Sequence, residues 1–195
     1  MKPTIWYIHG ANASPTSFNY IKSQLPDHDA VDITYSAYDS IGSTIAQLVK
    51  KLKQPVHIIA HSLGGVIGVA LSQMKPQFVR SVTTMGTPFG GSEIATRAAV
   101  LMPFDPFLNN ITTFNPVLLA VRQRGAVVPT MTIVTTKGGN TFESAPNDGV
   151  VTVASQLALE KPTVVIQVPL NHFESLLAPS TIQAITTFHE ELLSP

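Results

Sequence analysis

The stretch Val56-His57-Ile58-Ile59-Ala60-His61-Ser62-Leu63-Gly64-Gly65-Val66-Ile67 permits few local structures. Its apolar start reads as a short strand, continuous rather than alternating, as in a strand buried on both faces. The apolar segment that begins at Leu63 and runs to about Met74 is helix-length. A serine is left to turn the chain between the two. So tight a turn drives the serine into strained backbone angles and lifts its hydroxyl above the edge of a sheet. The residues two before and two after it must then be small, and they are Ala60 and Gly64. Gly65 has no side chain to hold the helix away from neighbouring strands. An ordinary serine in a buried strand-to-helix turn would carry the same pattern, so the context must decide.

That context repeats the alternation. Thr4 to Ile8 reads as a strand ending in His9-Gly10-Ala11-Asn12. Ser14-Pro15 reads as a helix start, a capping hydroxyl followed by proline at the first helical position. Phe18, Ile21 and Leu25 follow at helical spacing, and Pro26 stops the run. Val31 to Tyr35 is the next strand. Ile41, Ile45, Leu48, Val49 and Leu52 form the apolar stripe of an amphipathic helix, with lysines in its last turn where cations suit the helix dipole. Val79 to Met85, Met131 to Thr135 and Thr163 to Val168 complete about six strands. A last helix begins near Pro179-Ser180 and carries Ile182, Ile185 and Phe188. Strands alternating with helices predict an α/β fold with a mostly parallel sheet covered on both faces. No internal repeat or low-complexity linker interrupts it, and the length of 195 residues suits a single domain.

One region departs from the alternation. Residues 88–130 are rich in apolar residues and proline, as in Met102-Pro103-Phe104-Asp105-Pro106-Phe107-Leu108. So long a segment between two strands is not expected as a plain loop. It reads either as a small helical cap or lid, or as one crossover helix with ragged ends.

Ala60-His61-Ser62-Leu63-Gly64 resembles the Gly-x-Ser-x-Gly nucleophile elbow of the α/β-hydrolase superfamily, and of its small bacterial lipases and esterases in particular. Alanine stands where the family pattern has its first glycine. Gly86-Thr87-Pro88 resembles a string that ends the strand after the elbow helix in such enzymes. The resemblance extends from His9-Gly10 to His172. It implies an α/β-hydrolase fold with a reduced sheet beginning at the strand before His9. It also implies a chain order of Ser, then Asp or Glu, then His.

Serine needs a base to take its proton, and the base needs a third group to fix its tautomer. Downstream of Ser62 the histidines are His172 and His189. His172 follows a strand, at the carboxyl end where sites form in open α/β sheets, whereas His189 lies inside the last helix. The acids available are Glu93, Asp105, Glu143, Asp148, Glu160 and Glu174. Asp148 lies between the last two strands, and Asn147-Asp148-Gly149 resembles the acid motif of bacterial lipases. The same tripeptide is also a plain turn former. Glu174 is the second candidate, with a simpler role at a helix start. The expected catalytic set is therefore Ser62, Asp148 and His172. The resemblance assigns the oxyanion-hole N–H donors to Leu63 and Ala11, while His9 is expected to brace that loop. Phe89, Phe104, Phe107 and Leu108 are expected to line the acyl site.

Composition narrows the function classes. Twelve basic residues balance twelve acidic ones, without the basic cluster that nucleic acid would require. The absence of cysteine excludes disulfides and a thiol nucleophile. No cofactor is implied, and no metal site, since a second carboxylate to join Asp148 around a cation is not evident. No run approaches the ~18 apolar residues of a membrane span. Met1-Lys2-Pro3 leads straight into a strand, so a cytoplasmic protein is expected, although a secreted form without its leader would read the same. The expected partner is a small ester with an apolar acyl group, cleaved through an acyl-enzyme. An acyl thioesterase with the same triad, and a catalytically silent protein binding an apolar ligand or a partner, are the alternatives. Oligomeric state is not legible.

Overall fold

The computed structural model describes residues 2–139 and 144–193. Along the chain the main elements are β1 (Thr4–Ile8), α1 (Asn19–Gln24), β2 (Asp29–Ile33), α2 (Ile41–Lys51), β3 (Val56–His61), α3 (Leu63–Met74) and β4 (Val79–Met85). They continue with α4 (Glu93–Leu101), α5 (Pro106–Asn110), α6 (Pro116–Arg124), β5 (Thr130–Thr135), α7 (Val153–Gln156), β6 (Val164–Val168) and α8 (Pro179–Leu193). The six strands form one sheet in the order β2-β1-β3-β4-β5-β6. Every pairing is parallel, not merely most of them.

The continuous apolar strands serve two cores at once. Trp6 and Ile8 of β1 join Ile58 and Ala60 of β3 against α2, α3 and α6. Ile5 and Tyr7, one residue out of phase, join Ile59, Met85 and Ile133 against Phe18, Ile21 and the α8 residues Ile185 and Phe188. This is the period of two expected of a strand buried on both faces.

Two local expectations shift. β2 spans Asp29–Ile33, not Val31 to Tyr35. It is an edge strand, registered only against β1, with Thr4 opposite Asp29 and Ile8 opposite Ile33. Tyr35 is drawn out of the strand by the loop after β1: its ring stacks on His9 at 4.7 Å and its hydroxyl donates to the His9 carbonyl at 2.8 Å. Ser14 does not cap the next helix with its side chain. Its hydroxyl bonds the Thr16 hydroxyl at 2.6 Å, and a 3-10 turn over Pro15–Phe18 leads into α1.

Residues 88–130 contain three short helices. α6 returns to the sheet, where Leu118 and Val121 join the core beside α3. α4 and α5 pack on each other. The buried Asn110 ends α5, donating to the Ala37 and Asp39 carbonyls and accepting the Ile41 N–H, so it fastens α5 to the start of α2. Among the described residues no helix is long and apolar enough to cross a membrane.

Candidate active site

At the end of β3 the chain reverses direction at Ser62, whose φ of 54° and ψ of −129° lie outside the regions a serine ordinarily adopts. Backbone of this kind costs about 1–3 kcal/mol and persists only where its surroundings over-determine it. Here the Ser62 N–H donates to the Met85 carbonyl at 2.8 Å and the Ser62 carbonyl accepts the Gly65 N–H at 2.9 Å. Gly64 is obligatory for space, since a Cβ there would strike the carbonyls of Ile8 and His9. A Cβ on Gly65 would strike Thr87, just past β4. The glycine pair thus lets α3 start hard against the ends of β1 and β4.

Asp148 and His172 lie on loops after β5 and β6. The His172 Nδ1–H donates to Asp148 Oδ2 at 2.7 Å, and both side chains are buried. The loops are also joined by the His172 N–H to the Asp148 carbonyl at 3.0 Å. The two Asp148 oxygens have separate tasks. Oδ1 accepts the N–H groups of Val150 and Val151 at 2.9 and 2.7 Å, which closes its own turn. Oδ2 accepts from His172, from the Thr135 hydroxyl at 2.5 Å and from Gln156 Nε2 at 3.3 Å. Burial alone would push this carboxyl up. The hydrogen bond and charge of His172, the Thr135 hydroxyl and the Val151 N–H outweigh burial and hold it below the ordinary aspartate value. An ionised Asp148 only accepts, so it holds the proton of His172 on Nδ1 and leaves Nε2 bare.

Ser62, Leu63, His172, Gly10 and Ala11 line one cavity of about 580 Å³ at the carboxyl ends of the strands. That size is usual for a small-molecule site. Leu63 opens α3, and the first N–H groups of a helix have no partner within it. The Ala11 N–H meets no acceptor among the described residues. Gly10 lies close to the serine: a Cβ there would come within 2.9 Å of the Ser62 Cβ. His9 braces this loop through its stack on Tyr35 and a 2.7 Å bond from Nδ1 to the Gly10 carbonyl.

A model of the alpha/beta hydrolase fold matches residues 15–122, more than half of the chain. The chain belongs to the α/β-hydrolase family. Over 51 residues it is 43% identical to triacylglycerol lipases of Pseudarthrobacter phenanthrenivorans and Burkholderia plantarii. That stretch is 26% of this chain but only 16% and 14% of those proteins, so the chain spans a small fraction of their length. Among solved structures, the mature lipase BlEst2 of Bacillus licheniformis superposes with a TM-score of 0.71 at 20% identity, covering 98% of this chain and 92% of that one. A lipase-esterase related protein from Clostridium acetobutylicum gives 0.69 at 13% identity, covering 98% and 94%. At such identities the likeness is one of fold.

In this α/β hydrolase the four residues expected to line the acyl site separate. Phe107 lines the cavity. Phe89 is 0% exposed and belongs to the core cluster of α3 and α6, although its neighbours Pro88 and Gly90 line the cavity. Phe104 is 92% exposed at the turn between α4 and α5. Leu108, half-buried, lies on α5 away from the cavity wall. Glu174 and His189, the second choices for acid and base, make contacts of their own. Glu174 accepts the Asn171 N–H at 2.8 Å, a turn-closing role. His189 packs against His57, near the start of β3 and at the opposite end of that strand from Ser62. Glu143 lies outside the described residues. No group of three or more metal-ligating side chains occurs among the described residues.

Two contributors were not legible in the sequence. Gly86 has φ 57°, and a Cβ on it would lie 2.9 Å from His172 Nδ1 and 3.3 Å from Asp148 Oδ2. Its absent side chain is what leaves room for the pair. His61 is buried, donates from Nε2 to the His172 carbonyl at 2.9 Å, and lays its ring 4.6 Å from that of His172. Its Nδ1 therefore carries no proton and meets no partner among the described residues. Burial and the adjacent His172 push its pKa down to about 3. A histidine beside a serine elbow is a weak signal, since only the fold brings residue 172 to it.

Proposed function

We propose that the chain is a serine hydrolase of carboxylic esters, acting through Ser62, His172 and Asp148. Ser62 Oγ attacks the ester carbonyl while the bare Nε2 of His172 takes its proton. The developing imidazolium is held by Asp148 Oδ2, which the Thr135 hydroxyl and Gln156 keep ionised and aimed. The carbonyl oxygen, now negative, lies between the N–H groups of Leu63 and Ala11. Donors of this kind contribute about 2.7–4 kcal/mol each to such transition states. His172 then gives its proton to the leaving alkoxide. Water attacks the acyl-enzyme by the same route and releases the acid.

The observation that carries this reading is the buried 2.7 Å bond between His172 and Asp148 on the wall of the cavity onto which the strained Ser62 opens. The wall is largely apolar, with Leu63, Ile94, Phe107, Ile111 and Leu176 among its residues, which suits an apolar acyl group. We read α4 and α5 as a small cap bordering it.

The test is labelling with a serine-directed fluorophosphonate, followed by turnover of p-nitrophenyl esters of graded chain length. Ser62→Ala is expected to abolish labelling and lower kcat by on the order of 10⁶. An unlabelled native protein, or a Ser62→Ala variant with near-native turnover, overturns the proposal.

A further inference from the structure

The cavity wall carries one group that ester hydrolysis does not use. Arg122 lies in the last turn of α6 and reaches the same cavity as Ser62 and His172. Three cationic side chains among the described residues are half-buried: Lys22, Lys75 and Arg122. Lys22 is paired with Asp32, and Lys75 lies over the Phe78 ring. The Arg122 guanidinium has no ion pair, hydrogen bond or ring contact among the described residues. A cation drawn partly out of water without a partner is unfavourable. It is tolerated where a ligand supplies the missing acceptor.

Plainer roles for Arg122 are already filled by others. The C-terminal carbonyls of α6 are served by Gln73, whose Nε2 donates to the Val121 and Gly125 carbonyls at 2.9 and 2.8 Å. Arg124, in the same last turn and exposed, complements the helix dipole. Glu160 donates its N–H to the Arg122 carbonyl but makes no ion pair with the guanidinium. Glu93 is the lone carboxylate among the described residues lining the cavity. Its side chain is 71% exposed at the rim and turned to Arg97. Gly90, Ser155 and Ala158 are neutral residues of the same cavity wall, and the Ser155 hydroxyl is committed to the Gly91 carbonyl at 2.7 Å.

We infer that Arg122 is an anion anchor for the substrate, so that the preferred esters carry a carboxylate or similar oxyanion several bonds from the scissile carbonyl. This rests on the ester-hydrolase reading above and specifies its substrate. The planar guanidinium takes such a group in a two-point hydrogen-bonded fork. An anion of this kind could sit at the far end of the acyl chain or on the alcohol.

Two pairs of substrate series separate these sources. On the acyl side, p-nitrophenyl half-esters of linear dicarboxylic acids are compared with p-nitrophenyl esters of monocarboxylic acids of matching length. On the alcohol side, butyrate esters of ω-hydroxy acids are compared with butyrates of matching alcohols. The readout is the ratio of kcat/KM for charged over neutral ester, which within one variant does not depend on how much of it is folded. One of the two ratios is expected to reach roughly ten to a hundred in the native protein, the range of a charged hydrogen bond. It should fall to about one in Arg122→Gln and survive in part in Arg122→Lys. Ratios at or below one in both native series overturn the anchor, as does a ratio that persists in Arg122→Gln. Neutral esters turned over with no charged preference refute the anchor alone. No turnover of any ester, with no fluorophosphonate labelling, refutes the hydrolase reading and the anchor with it.

Discussion

Exchanging Asp148 for asparagine keeps the shape of the side chain and removes one acceptor. The five hydrogen bonds that converge on the carboxylate make the consequence calculable. With the amide oxygen in the place of Oδ1, the bonds from the Val150 and Val151 N–H groups survive. The amide NH₂ then replaces Oδ2 and faces three donors, from Thr135, Gln156 and His172. The Thr135 hydroxyl can turn to Gln156 Oε1, 3.2 Å away. His172 can relieve its clash only by moving its proton to Nε2, where it becomes an acceptor at Nδ1. That tautomer carries its proton on Nε2 and cannot take one from serine there. The expected loss in kcat is on the order of 10⁴, about 5 to 6 kcal/mol in the barrier. KM should change little, because Asp148 does not reach the substrate. The reverse amide orientation would set NH₂ against two backbone N–H groups and destabilise the turn by about 1–3 kcal/mol. The assay is steady-state hydrolysis of a p-nitrophenyl ester, with folding checked by urea denaturation. A stable Asp148→Asn protein that loses less than about tenfold in kcat would refute the tautomer reasoning.

Gly86→Ala should lower kcat by on the order of 10² by displacing the His172 ring, with less effect on KM, and a full kinetic analysis would expose a null effect. Acid should destabilise the fold before the carboxylates titrate. His61 and His189 have pKa values pushed down to about 3 and about 4, His61 by burial and His172, and His189 by burial and the nearby His57 and His28. The unfolded chain therefore binds protons that the native one refuses, and stability present above pH ~6.5 is lost as pH falls toward those values, at up to about 1.4 kcal/mol per pH unit for each group. Urea midpoints measured from pH 7 to pH 5 check this, and a flat profile would contradict it. Phe89→Ala should cost about 3–5 kcal/mol of stability, as a core truncation, while the exposed Phe104→Ala should stay within about 0.5 kcal/mol. Equal effects in the two denaturation curves would mean that the core is misassigned.

Much of the architecture could be read locally because burial leaves a local signature. An apolar strand flanked by proline and glycine can be recognised from its own residues, and β4 begins and ends where its composition says. The strained turn at Ser62 was legible for the same reason. It is forced by a strand and a helix one residue apart, with Ala60 and Gly64 as the small neighbours that steric exclusion requires. Asp148 was legible only in part. Its turn-forming neighbours and its proposed catalytic task proved compatible rather than rival, since one carboxylate oxygen closes the turn and the other faces His172.

Side-chain destinations were harder to read. Phe89, Phe104, Phe107 and Leu108 have similar hydrophobicity and lie within one segment, yet they reach a core, open water, a cavity wall and a helix flank. Hydrophobicity says that a side chain would gain from burial, but not which surface will bury it. That depends on which strands become neighbours. The sheet order sets the loops after β5 and β6 beside each other, and only this places Gly86 under the His172–Asp148 pair and His61 against the His172 carbonyl. The lone guanidinium of Arg122 belongs to the same class. A sequence shows an arginine in a helix that ends in basic residues. Only the tertiary structure shows that no carboxylate among the described residues pairs with it, because pairing is a matter of ångströms between residues far apart in the chain. By itself the sequence determined the strands, the helices and the strained serine turn, all local consequences of periodicity and steric size. The tertiary structure decided which residues share a cavity with that serine, since that is a consequence of long-range contact.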